Sequence, residues 1–132
     1  MIVVVDSGIW ISAIEFGGTA VALERVFLID DLAICSDIEE EVLRVLHDKF
    51  GRDRKLIQQR LGPLLSQAVH VTVTGEIADV CRDPNDDCIL ECAVKADAQL
   101  IIAGDKDLLA LRAYRGIRIV TARQYLEEIE TN

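Results

Sequence analysis

Short aliphatic runs separated by amphipathic stretches repeat from one end of the chain to the other, and this alternation restricts the fold more than any other feature of the sequence. Residues 2–5, 32–35, 69–73, 100–103 and 117–120 read as five strands, rich in Val, Ile and Leu. Helical periodicity fills the intervals at residues 19–29, 36–50, 54–68 and 86–96, with a last helix at 123–130. Strand–helix alternation of this kind predicts an α/β fold, a three-layer α/β/α arrangement around a five-stranded parallel sheet. Two helix starts fit the capping box, Ser36-Asp37-Ile38-Glu39 and Thr121-Ala122-Arg123-Gln124. The 132 residues hold no repeat, biased tract or linker, and Gly17-Gly18 and Gly51 read as turns, so one domain over residues 1–132 is expected.

Although 51% of the residues are hydrophobic, each apolar run stops well short of the roughly 18–20 residues a membrane span needs. The opening Met1-Ile2-Val3-Val4-Val5 carries no basic leader and ends on Asp6, which reads as a buried strand and not a signal peptide. A cytoplasmic protein with no membrane contact is therefore expected. Cys35, Cys81, Cys88 and Cys92 form no CxxC pair and read as small buried hydrophobes.

In an open parallel sheet, ligands bind beyond the carboxyl ends of the strands. Asp6 directly follows the first strand, and Asp105 follows the fourth after Gly104, a residue that permits a tight turn. Glu41 lies in the helix after strand two, and Asp86 opens the helix before strand four, so all four acids are expected at one edge. Bare carboxylates gathered there would repel one another, and their hard oxygens suit Mg2+ or Mn2+. Simpler roles stand beside this reading: Asp6 and Asp86 as helix caps, and Glu39-Glu40-Glu41 as an acidic first turn favoured by the helix dipole.

The string Val3-Val4-Val5-Asp6-Ser7-Gly8-Ile9-Trp10 resembles the opening strand and turn of PIN domains. Ser36 to Leu46 around Glu41, Asp83-Pro84-Asn85-Asp86-Asp87, and Gly104-Asp105-Lys106-Asp107-Leu108-Leu109 are similar to the family's later acidic motifs, in order. The resemblance is closest to the VapC-like PIN proteins that act as toxins of toxin–antitoxin pairs. It implies a metal-dependent ribonuclease that cleaves single-stranded RNA with Mg2+ or Mn2+, and a partner antitoxin. It also implies Asp6, Glu41, Asp86 and Asp105 as catalytic metal ligands, with Asp107 where a further, less regular acid occurs. Glu40 and Asp87 adjoin two of these positions, and a shift of one residue would exchange them. Many relatives carry a polar pair after the first acid. Here Ser7 keeps a hydroxyl able to support a carboxylate, and Gly8 offers no side chain.

With 23 acids against 14 bases, the net charge of -9 opposes phosphate binding by the protein surface as a whole. Lys49, Arg52, Arg54, Lys55 and Arg60 are the densest basic stretch, whereas Lys106, Arg112, Arg115 and Arg123 are expected nearer the acids and are the candidate RNA contacts. Trp10 reads either as a base-stacking platform or as core. His47 and His70 read as structural. The helices at 19–29 and 54–68 carry Val21, Leu23, Val26, Phe27, Leu28, Leu61, Leu64 and Leu65, more apolar surface than one buried face needs. A homodimer is therefore expected, with an antitoxin groove on the same helices. Two alternatives remain: a PIN-like binding module without catalysis, and a receiver-type signalling domain.

Overall fold

The computed structural model describes the backbone of residues 1–131 and the side chains of residues 1–128. Strands β1 (Ile2–Val5), β2 (Asp31–Ile34), β3 (Val69–His70), β4 (Leu100–Ile102) and β6 (Ile117–Val120) run parallel, and β5 (Ala113–Tyr114) pairs antiparallel with β6. Their order across the sheet is β3-β2-β1-β4-β6-β5. The sheet thus has six strands where five were expected. The sixth escapes a sequence pattern because it is two residues long, folded back through Arg115 and Gly116, both at positive φ.

The helices are α1 (Ser7–Glu15), α2 (Ala20–Ile29), α3 (Ser36–Phe50), α4 (Arg54–Leu65), α5 (Pro84–Lys95), α6 (Lys106–Leu111) and α7 (Ala122–Thr131). The sequence pattern showed neither α1 nor α6, and only the reading of Asp6 as a helix cap pointed to the first. The sequence of α1 has little amphipathic contrast, and α6 spans only six residues. Both start on an acid that serves as N-cap: Asp6 accepts from the Gly8 N–H, and Asp105 from the Leu108 N–H. Of the two expected capping boxes, the one at α7 forms, with Gln124 N–H donating to Thr121 Oγ1 (3.0 Å) and Thr121 N–H to Gln124 Oε1 (2.9 Å). The one at α3 does not, because the helix already begins at Ser36 and Cys35 takes the cap position. Among the described residues, no helix is long and apolar enough to cross a membrane.

β1 and β4 are adjacent, with Val5 level with Ile102. Their side chains are almost wholly buried, each such aliphatic residue contributing about 1.5–3 kcal/mol. Strand order runs one way from β1 to β3 and the other way from β4 to β6, so the crevice beyond β1 and β4 is the topological switch point.

The expected strand at 69–73 stops at His70, and residues 71–83 form an irregular strap instead. Its backbone is claimed by one stripe of α5. Glu91, only 1% exposed, accepts from Thr74 N–H (2.7 Å) and Ile77 N–H (2.9 Å), and Asp87 accepts from Cys81 N–H (2.8 Å). Burial alone would push the Glu91 carboxyl up, but the Ile77 and Thr74 amides and the Lys95 ammonium outweigh it and hold it at about 2. Its contribution is therefore complete above its ordinary value of 4.5 and is lost as pH falls through about 2. Glu91→Gln turns an amide donor toward one of these N–H groups. The expected cost is about 2–4 kcal/mol, read at neutral pH as a fall in Tm of roughly 10 °C. An unchanged melting curve would show that this carboxylate does not hold the strap.

Candidate active site

Asp6 directly follows β1 and Asp105 lies in the turn after β4, and the Asp6 N–H bonds the Ile102 carbonyl (2.9 Å), which holds the two strand ends together. They line a cleft of about 510 Å³ together with Glu41 from α3 and Asp86 from the first turn of α5. The four acids chosen from the sequence are thus brought to one edge. Within the cleft they are unequal: carboxylate oxygens of Asp86, Asp105 and Asp107 lie within 4.8 Å of one another, and no other such group of three occurs among the described residues. Asp107, given above as the irregular member, belongs to this tight set, and Asp6 and Glu41 flank it.

Asp6 is buried. Burial raises its affinity for a proton, the N–H groups of Gly8 and Gly104 and the Ser7 hydroxyl oppose this, and the Asp105 charge adds to the rise; the net shift is upward. Asp86 is pushed further, to about 7, first by burial, then by hydrogen bonding to Asp105 and repulsion from Asp105, Asp6 and Asp83. A carboxyl that keeps its proton near neutrality marks a site with more negative charge than the protein compensates by itself.

The adjacent acids are separated by their partners. Glu41 accepts from Ser7 Oγ (2.8 Å) and from Asn85 Nδ2 (3.4 Å), whereas Glu40 is exposed and takes both its bonds from Arg54 (2.7 and 2.8 Å). Asp86 faces the cleft, whereas Asp87 is spent on the Cys81 amide. Two further lining residues, Asp83 and Asn85, were not singled out in the sequence. Asp83 is the N-cap of α5 ahead of Pro84 at the first helical position. That cap-plus-proline signal stands in the sequence and would have started the helix two residues earlier.

The donor set suits a small divalent cation. All three clustered groups offer hard oxygens, gathered closely enough to share one small ion. Gly8, exposed in the first turn of α1, has room for a side chain: a Cβ there would lie 3.8 Å from Asp6 Oδ2, an ordinary contact.

The basic residues divide. Lys106 is exposed beside Asp105, and Arg123 lies at the same edge in the first turn of α7, paired with Glu127 (2.9 Å). Arg112 caps the far end of α6. Arg115 is at the opposite edge, stacked 5.2 Å over Tyr114, because the β5–β6 hairpin turns there and not at the cleft; its expected place near the acids is corrected. Arg52 and Arg54 are held by Glu15 and Glu40. Trp10 is 1% exposed and packs edge-on against Phe27 at 5.8 Å, which removes it as a base platform. His47 and His70 bond the backbone carbonyls of Arg52 (3.1 Å) and Leu65 (2.8 Å), as structural residues do. Cys35 and Cys92 are buried and Cys81 and Cys88 half-buried, apart from the acid cluster.

The sequence model of the PIN domain matches residues 2–107, a stretch that contains every acid of the cleft. None of the curated proteins matches the chain. Among solved structures, the chain superposes on one from a crystal structure of VapBC2 from Rickettsia felis bound to a DNA fragment from their promoter. The TM-score is 0.63 over 90% of this chain and 97% of that one, at 15% sequence identity, which is a likeness of fold.

Proposed function

The chain belongs to the PIN-domain family, and on that premise we propose that it is a divalent-metal-dependent endoribonuclease, hydrolysing phosphodiester bonds in single-stranded RNA as the toxin of a toxin–antitoxin pair. The observation that carries the reading is the convergence of Asp86, Asp105 and Asp107 at the switch point of the sheet, flanked by Asp6 and Glu41. The family match over residues 2–107 removes the receiver-type alternative.

Asp86, Asp105 and Asp107 would hold Mg2+ or Mn2+, with Asp6 beside them. A bound ion of this kind supplies positive charge at the phosphate oxygens and acidifies water for in-line attack. The protein's part is positional. Asp6 and Asp105 are each fixed by backbone N–H groups at a helix start. Ser7 ties α1 to α3 by donating to Glu41, and Asn85 reaches from α5 to the same carboxylate, so side chains of three helices meet at the open side of the cleft. Lys106 and Arg123 stand where the phosphate backbone would approach. Incubation of the protein with a labelled single-stranded oligoribonucleotide tests the reading: cleavage with Mn2+ or Mg2+ and none with EDTA is expected, and intact RNA under both conditions would overturn it.

Partners follow from surface. Of the eight apolar residues expected to be in excess, Leu23, Val26 and Leu65 are buried and Phe27 and Leu61 half-buried, which leaves Val21, Leu28 and Leu64 exposed, joined by Ile29 and Leu56. Val21 at 63% and Leu28 at 81% exposure lie two turns apart on α2 and favour a second copy as cover. Between α1 and α4, an apolar cleft of about 430 Å³ lined by Ile14, Leu56, Ile57 and Leu61 suits an amphipathic antitoxin segment, and the fold likeness to the VapBC2 chain supports a partner of that kind. Light scattering at tens of micromolar is expected to give twice the chain mass of 14.6 kDa, and about 14.6 kDa for a Val21→Glu, Leu28→Glu variant. A monomeric wild type would contradict the dimer.

A further inference from the structure

We propose that Arg82 is a phosphate-contacting residue for the RNA strand, presented to the acid cluster by the strap 71–83; this rests on the nuclease reading above. The Arg82 guanidinium lies 3.9 Å from Asp107 Oδ1, a member of the clustered acids, and its side chain is 90% exposed. Among the described residues it makes no hydrogen bond, so its five N–H donors remain available to a ligand. Arg123 at the same edge is engaged with Glu127.

The strap is an expensive way to place a loop residue. It engages two buried acids of α5, Asp87 and Glu91, and the Lys95 ammonium, which donates to the Thr72 carbonyl (3.0 Å) and lies 3.1 Å from Glu91. The Cys81 amide, immediately before Arg82, is bonded to Asp87, and Asp83, immediately after it, caps α5. Arg82 is therefore fixed at its backbone on both sides, while its exposed side chain keeps only the 3.9 Å ion pair to Asp107. A planar fork held in this way matches a phosphodiester oxygen pair. In a protein of net charge -9, a cation carried on a held backbone within reach of the acids offsets repulsion where the strand passes.

The test compares wild type, Arg82→Ala and Arg82→Lys on a fluorescein-labelled single-stranded oligoribonucleotide with saturating Mn2+, from 50 to 200 mM KCl. Arg82→Ala is expected to raise KM about five- to tenfold, with most of the loss in KM and not in kcat. The slope of log kcat/KM against log KCl should become shallower by about 0.7, the value of one lost phosphate contact on a single strand. Arg82→Lys should keep the wild-type slope and recover part of KM. Unchanged KM and slope in Arg82→Ala, or a loss confined to kcat with the wild-type slope, overturns the Arg82 assignment and leaves the nuclease intact. No cleavage by wild type overturns both.

Discussion

Asp105→Asn is expected to abolish cleavage of single-stranded RNA, by about a thousandfold or more, and at the same time to raise the Tm of the metal-free protein. The first effect follows because Asp105 sits within the clustered oxygens and next to Asp6. Several kcal/mol of transition-state stabilisation depend on an ion held there, and about 4 kcal/mol is a thousandfold in rate. The second follows from the same crowding: Asp105 is the charge that most raises Asp86 and also raises Asp6. Removing it relieves repulsion in the folded state alone, and the neutral amide still accepts the Leu108 N–H that caps α6. The pH dependence has a definite sign. Between its ordinary value of 3.8 and about 7, folded Asp86 binds a proton that the unfolded chain does not, so metal-free wild type gains stability as pH falls through that window. Asp105→Asn should flatten this gain. Melting curves from pH 4.5 to 8 in EDTA, beside a cleavage assay in saturating Mg2+, check both parts. Near wild-type cleavage by the variant would show that the site has been placed wrongly.

Millimolar Mn2+ is expected to stabilise wild type strongly. An ion present at a hundred times its Kd adds about 2.7 kcal/mol through mass action on a folded-state site, or roughly 10 °C in Tm for a chain of this size. The shift should disappear in Asp86→Asn, since Asp86 belongs to the clustered set. A melting curve indifferent to Mn2+, together with uncut RNA, would instead favour a catalytically silent binding module.

The parallel core was legible because β1, β4 and residues 32–34 of β2 are aliphatic runs largely buried on both faces, and β6 departs from that only at exposed Arg118, a pattern that needs no tertiary information. β5, α6 and the strap were not, for three different reasons. Two residues are too few to show a period, six are too few to show a face, and residues 71–73 continue a plausible strand until Glu91, eighteen or more positions later, takes the amides nearby. The edge on which the acids meet was legible from where strands end. The choice among neighbouring acids was not. Glu41 differs from Glu40 because Ser7 lies over one and Arg54 over the other, and Asp86 differs from Asp87 because the Cys81 amide takes the latter. Those partners are 6 to 34 positions away in sequence, where spacing alone carries no signal.

One ion site that is both a structural and a catalytic feature would show itself in a paired Mn2+ titration. Cleavage rate of a single-stranded oligoribonucleotide and Tm of the same wild-type preparation would each be followed against free Mn2+, with Asp105→Asn in parallel. Both wild-type signals are expected to rise over one range of concentration, and the variant is expected to show neither. Cleavage that persists in EDTA, or a variant that matches wild type in both signals, would contradict such a site.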